Sequence, residues 1–255
     1  MKRSGLRLRL AALLLAAMLL LAWELACRWF ALPLLVLPPP SAIAHSLWHG
    51  LASGYFWPHL RATVVELTLG LLAGCMVGFG AGIALAEHAL LRRLAMPYVV
   101  ASQVVPKLAL APLFVLWFGF GWLPTVVITA LICFFPLLES TLTALGQVAP
   151  QRLELFRMLG ATRAQTLWRL KLPSGLPAIL AGLRVAVVLA LVGAVVGEFI
   201  AASEGLGALV IASQGTMDTP LMFAVLVLIA ALGLLVYQAT LLLERWLLPP
   251  LIPTS

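Results

Sequence analysis

The sequence predicts an all-α, polytopic membrane protein with six transmembrane helices. Three observations carry that prediction. Of 255 residues, 63% are hydrophobic and only 10% charged, and the mean hydropathy is +1.11. A soluble domain has roughly 45–50% apolar and about 25% charged residues, so no water-facing surface is available from this composition. Six apolar stretches reach the roughly 20 residues that a helix needs to cross hydrocarbon. They are residues 10–32, 63–85, 96–118, 122–142, 176–200 and 221–243. Finally, the basic residues segregate. Lys2, Arg3, Arg7, Arg9, Arg92, Arg93, Arg152, Arg157, Arg163, Arg169, Lys171 and Arg245 all fall on one side of the stretches. Only Arg28 and Arg61 flank the other side, which by the positive-inside rule places both termini in the cytoplasm. The net charge of +7 is accounted for by these loops and implies no nucleic-acid partner. A cytosolic enzyme, a disulfide scaffold and a disordered adaptor are excluded together.

The first stretch is the weakest, because Glu24 and Arg28 lie in its outer half. Its basic start and apolar run resemble a signal peptide, but five further spans follow, and it reads as an uncleaved first helix. A lipoprotein site at Cys27 is disfavoured by Glu24, which stands where an apolar residue is wanted. Cys27, Cys75 and Cys133 are far apart in apolar surroundings and read as packing residues. Between spans one and two, Pro33 and Pro38-Pro39-Pro40 stiffen an outer segment, and Ser41 is positioned to cap a short amphipathic helix through Gly50. His45 and His49 share a face there; two ligands alone make a poor metal site, and polar tips on a surface-lying helix are the plainer reading.

Span two carries Gly70, Gly74, Gly78 and Gly82, four residues apart on one face, which predicts close approach of another helix backbone. Span three is interrupted by Pro97, Pro106 and Pro112 and holds Ser102, Gln103 and Lys107 near bilayer depth. Such groups are tolerated only against protein or a water-filled cavity. Either Gln103 and Lys107 face a translocation pathway, together with Glu139 of span four and Glu198 of span five, or Lys107 pairs structurally with Glu139 or Glu66. Glu198, near the outer end of span five and followed by Glu204 and Asp218, reads as a cation or proton ligand or as a helix-end interface group. Arg184 lies two turns inside span five and would snorkel to the cytoplasm.

The one sizeable polar stretch on the cytoplasmic side is the loop 146–175. Pro150 suits the first turn of a helix over 151–159, with Leu153, Phe156 and Leu159 on one side. Gly160 fits the left-handed residue that ends it. Thr162 and Gln165 have capping-box spacing for a second helix through Lys171, with Ala164, Leu167 and Trp168 on one face. Pro173 is expected to stop that helix and Pro177 to begin the next span. Two short amphipathic helices beside the membrane suit a docking element.

This loop resembles the EAA loop of ABC importer permeases. Glu154-Leu155-Phe156, three residues, Gly160, nine residues and Leu170-Lys171-Leu172-Pro173 match the family form Glu-Ala-Ala, three residues, Gly, nine residues, Ile-x-Leu-Pro. Leu155, Phe156 and Leu170 depart from it by apolar changes. Likeness extends over about 60–245, where VPKLALAPLFVLWFGFG (105–121), LPSGLPAILAGLRVA (172–186) and Gly205-Leu206-Gly207 resemble the nitrate/sulfonate/taurine branch, which includes permeases for thiamine-pyrimidine precursors. The resemblance implies a type I importer fold: an N-terminal helix and periplasmic segment (1–60), a permease domain (61–245) and a cytoplasmic tail (246–255). It implies a bacterial inner-membrane location, a pair of permeases surrounded by lipid, two cytoplasmic ATPases and an external solute-binding protein. Glu154, Leu155, Phe156, Gly160, Ala161, Leu172 and Pro173 would couple to the ATPases. The chain itself has no GxxxxGK[ST], so no cofactor is expected on it and ATP would be bound by the partner. The expected cargo is a small organic anion such as an alkanesulfonate, taurine or nitrate, or a pyrimidine precursor. A secondary transporter driven through Lys107, Glu139 and Glu198 is the alternative; a membrane enzyme lacks a convergent nucleophile, base or metal set.

Overall fold

The computed structural model describes residues 2–248, with side chains from residue 10 onward. The basic side chains of the first nine residues and tail residues 249–255 lie outside the described part. Among the described residues eleven α-helices, one 3₁₀ turn and one π-turn follow one another, with no strand. Helix α1 (Lys2–Trp29) leads to α2 (Pro40–Ala52). Long α3 (Phe56–Glu87) is followed by α4 (Ala89–Val104), α5 (Ala111–Phe118) and α6 (Trp122–Gly146). The loop 146–175 holds α7 (Pro150–Met158) and α8 (Arg163–Thr166), and α9 (Leu172–Ala201), α10 (Leu206–Gly215) and α11 (Thr219–Leu247) complete the chain. Five helical segments are long and apolar enough to span a membrane, and a sixth span forms if the bent pair of α4 and the 107–118 segment is counted as one.

That pair is the proline-interrupted third stretch, 96–118. It bends by 81° at Val105-Pro106. Pro106 lacks an N–H, and its ring pushes the preceding residue out of helical geometry, so the chain turns through Val105 in an extended conformation and restarts as a 3₁₀ turn at Lys107. By contrast, Pro97 and Pro136 are carried inside continuous helices.

The core is a three-helix sandwich of α3, α6 and α9. The four glycines of α3 face α6 as their spacing predicts. A methyl group at Gly74 would collide with Ala130 O and Cys133 Sγ, and one at Gly82 with Thr141 and Leu138 O. Helix α9 repeats the device on the other side, where Gly182, Gly193 and Gly197 lie against Ser140, Thr129 and Thr125 of α6. Within a membrane, apolar burial gives no preference for protein over lipid, so close backbone approach and dispersion hold such helices together. Cys133 and Cys75 are packed within this core, and Cys27 is buried with its Sγ near Leu37 O, all three as free thiols.

Three local expectations are corrected. Ser41 does not cap α2; Pro39 occupies that position, and Glu24 of α1 accepts hydrogen bonds from Ser41 N (3.0 Å) and Ser41 Oγ (2.8 Å) while pairing with Arg28. The outer-half acid of the first span is therefore a helix cap supplied from a neighbouring helix. Pro173 does not stop the loop's second helix either. A π-turn over Leu167–Lys171 widens the path, with Leu172 N donating to Leu167 O, and the helix continues through Pro173 and Pro177 into α9. The wider turn relieves the clash that the Pro173 ring would make with a carbonyl one α-turn back. Arg184 meets Glu244 of α11 across 3.3 Å instead of simply snorkelling.

Candidate functional site

Two regions bear on function: the α7–α8 hairpin at the basic end, and the broken span with its polar side chains. Helix α7 begins at Pro150 and ends where Gly160 takes φ +71°. Gly160 N donates to Arg157 O and Ala161 N to Phe156 O, both at 3.0 Å, which is the paired closure that a left-handed residue after a helix makes possible. The capping box forms in full: Gln165 N donates to Thr162 Oγ1, and Thr162 N to Gln165 Oε1 at 2.8 Å. The corner between α7 and α8 is thus set by one glycine and one reciprocal pair of hydrogen bonds.

No residue of α7 is buried. Leu153 and Phe156 are half-buried, whereas Leu155, Met158 and Leu159 are 53%, 86% and 73% exposed. Leu159 therefore belongs to the outward face, not with Leu153 and Phe156 as its periodicity suggested. Met158, which periodicity did not single out, is the most exposed of the set. Glu154 is exposed, Ala161 and Leu172 half-buried, and Pro173 exposed on the first turn of α9. The hairpin is tied to the core by Lys171, whose Nζ donates to Glu87 Oε1 at the end of α3 across 2.7 Å. That partnership escaped the sequence because 84 residues separate its members. Their common position at the basic end of two spans was the available signal.

In the broken span, Lys107 Nζ donates to Gln103 Oε1 at 2.7 Å across the bend. Its partner is an amide, and the expected pairing with Glu139 or Glu66 does not form. Gln103 Nε2 is buried without a partner. Ser102 Oγ donates to Val99 O of its own helix, and Glu139 is half-buried and accepts from Thr143 Oγ1. The structure brings Gln103 and Lys107 together but does not join Glu198 to them.

Glu198 is 1% exposed and holds the start of α10, accepting from Gly207 N through Oε2. Thr63 Oγ1 accepts from Leu206 N (2.8 Å), and His59 Nδ1 lies within 3.2 Å of Gly205 N. Three side chains from α3 and α9 thus satisfy the free N–H groups at the N-terminus of α10, a task normally left to a local cap. Gly205, at φ +130°, and Gly207 are packed so tightly that a side chain at either would strike the Glu198 carboxyl. In this structure Glu198 is a buried anchor for the start of α10, and the Gly-Leu-Gly run is its counterpart. On the same end of the molecule, His45 and His49 line a cleft of about 690 Å³ with Tyr55 and Asp218. Among the described residues no group of three or more His, Cys, Asp or Glu is placed to hold a metal.

Residues 70–249 match the family model described as the binding-protein-dependent transport system inner membrane component. The formylaminopyrimidine transport permease protein ThiX of Halalkalibacterium halodurans is 38% identical over 232 residues, covering 91% of this chain and 92% of that protein. The riboflavin transport system permease protein RibX of Chloroflexus aurantiacus is 37% identical, covering 90% and 86%. The taurine transport system permease protein TauC of Escherichia coli is 33% identical, covering 92% and 87%. An inward-facing structure of the MetNI methionine ABC transporter shares the fold, with a TM-score of 0.65 at 20% identity over 74% of this chain and 94% of that one. Broken span, glycine-lined core and loop hairpin thus sit on a fold and a sequence with known counterparts, and the chain belongs to the family of binding-protein-dependent transport system inner membrane components, as a permease subunit of an ABC importer and not an enzyme.

Proposed function

We propose that this permease admits a small organic solute to the cytoplasm, powered by ATPase subunits that seat the α7–α8 hairpin. The observation that carries this reading is the outward apolar face of α7, Leu155, Met158 and Leu159, set at a fixed corner by Gly160. An apolar face at the basic end of a membrane protein calls for a protein partner, and three residues at i, i+3 and i+4 suit a groove. Glu154, Leu155, Phe156, Gly160 and Ala161 form the docked element, while Leu172 and Pro173 carry its movement into α9.

The segregation of Lys and Arg supports cytoplasmic termini and a cytoplasmic hairpin in the inner membrane, so that the end bearing α2 and α10 faces outward. A solute-binding protein delivers cargo there. Two copies of this chain, surrounded by lipid, form the pathway, with Ser102, Gln103, Lys107 and Glu139 as its polar candidates. The chain holds no cofactor of its own; ATP is bound and hydrolysed by the partner subunits. Alternating access then follows from rocking of the two copies, driven through the hairpins. The names of the relatives reported above give nitrogen heterocycles (ThiX, RibX) and a sulfonate (TauC) as cargoes, and a small organic solute of one of these classes is the proposed cargo here.

Purification of the tagged chain from its native membrane in gentle detergent, followed by mass spectrometry, tests the reading. A Walker-motif ATPase at equal stoichiometry, lost on Leu155→Glu and Met158→Glu, is the expected result. A stable, transport-competent complex without any ATPase would overturn it.

A further inference from the structure

Near the basic end of the molecule, two grooves between α9 and α11 meet at Arg184. The one nearer the membrane interior, of about 490 Å³, runs along Val185, Val188 and Leu189 of α9 and past Tyr237 of α11. The other, of about 260 Å³, reaches Glu244 and Arg245 in the last turn of α11. The lining is graded along the helices, with charged groups at the helix end and aliphatic ones farther in. Arg184 stands at the junction, about 12 Å of helix axis inside the fifth apolar stretch. Its charged partner, Glu244 Oε2, lies 3.3 Å from Nε without the alignment of a hydrogen bond, and neither atom has another partner among the described residues. Nε is inaccessible while 34% of the side chain is exposed, so the groove meets the terminal amino groups and the stem. Arg184, Glu244 and Arg245 together leave one net positive charge.

We propose that this double groove binds one anionic phospholipid, its phosphate held by Arg184 and Arg245 and an acyl chain laid along Val185, Val188 and Leu189. The inference goes beyond the importer reading and does not depend on it. A guanidinium inside hydrocarbon needs acceptors, and Arg184 has only the one misaligned carboxylate. Phosphate oxygens fit the planar guanidinium fork bidentately, and a headgroup with a full negative charge balances the surplus that Glu244 leaves. A phospholipid also has the gradation of the groove, with its phosphate at the membrane boundary and its acyl chains within. Basic pockets between spanning helices suit anionic headgroups for the same reasons. A small solute anion answers the charge but leaves the aliphatic wall bare. A second copy of the chain answers the wall but not the charge. Of the carboxylates in its spans, Glu66 and Glu198 are buried, Glu24 pairs with Arg28 and Glu139 accepts from Thr143.

The test titrates the full chain, purified in detergent with the subunits that accompany it, with dioleoylphosphatidylglycerol, dioleoylphosphatidylethanolamine and inorganic phosphate. Bound lipid is counted by native mass spectrometry. One phosphatidylglycerol per copy is expected at saturation, with affinity about fivefold or more above that of phosphatidylethanolamine and no competition from phosphate. Arg184→Gln combined with Glu244→Gln removes the pair without stranding either charge, and lowers that affinity about tenfold or more. Arg245→Gln lowers it about fivefold, the scale of one basic residue near a membrane surface. Val188→Trp, at a half-exposed position, keeps every charge but obstructs the acyl chain, and lowers affinity about fivefold or more. Equal affinity for the two lipids, unaltered affinity in the double variant or in Val188→Trp, or displacement of the lipid by phosphate would each overturn the proposal. So would disulfide cross-linking of two copies through Val188→Cys, which would place a second chain in the groove.

Discussion

Helix α6 and helix α4 belong to the same membrane domain but live in opposite surroundings. Helix α6 is gripped from both sides by glycine faces of α3 and α9, and about half of its residues are buried. Helix α4 has no buried residue, shows Tyr98, Val100 and Val104 to the outside, and ends at the Pro106 bend. Helix α4 is also the less apolar of the two, carrying Arg92 and Arg93 in its first half. The difference lies in small residues at regular spacing, which let backbones touch and collect dispersion energy that bulky side chains would forfeit. A membrane protein of this kind thus divides into a rigid part written in glycine and a part left open for partners and movement.

Breaking the rigid part should have the largest effect. Gly78→Leu drives a side chain into the backbone at Phe134 and Leu138 of α6. A loss of more than about 4 kcal/mol is expected, seen as a collapse in detergent-stable yield. Val100→Leu on α4 should change thermal stability by no more than about 0.5 kcal/mol. Equal sensitivity at the two sites would erase the contrast. Next in size is the tie between the open hairpin and the core. Lys171 and Glu87 are each 18% exposed, so Lys171→Glu should cost about 1–3 kcal/mol, with much of it recovered when Glu87→Lys is added. A double mutant no better than the single would show that the pair does not link the two regions.

Within the hairpin, Gly160→Val meets no atom within 4 Å of its new Cβ, so its penalty is purely conformational, about 1–2 kcal/mol at φ +71°. Insertion and yield should match the parent while ATP-driven uptake falls several-fold. Full uptake by this variant would remove Gly160 from coupling. A smaller effect within the hairpin is expected from Thr162→Ala, which deletes one half of the capping box for about 1 kcal/mol. Limited proteolysis of the loop should accelerate without loss of the folded membrane domain.

Features written within one turn of helix are legible in the amino-acid sequence. The α3 glycine stripe, the left-handed Gly160 and the Thr162–Gln165 box each depend on residues three or four apart, and each is found where its spacing places it. The partners of charged and polar groups are not legible in this way. Glu24 caps α2 in place of Ser41, Lys107 meets Gln103 instead of a carboxylate, and Glu198 accepts from the start of α10. Pro173 belongs with these, because its helix continues through a π-turn that propensity rules do not anticipate.

Composition, hydropathy and loop charge are sufficient for the membrane class and for the location of the polar loop 146–175. These follow from transfer between water and hydrocarbon, which is a sum over residues and does not depend on which helix stands beside which. The 81° bend of the third span, the groove between α9 and α11 and the choice of partner for each buried polar group are decided only in the packed molecule. A desolvated donor or acceptor bonds to whatever the fold brings within about 3 Å, and that neighbour is most often dozens of residues away in the chain.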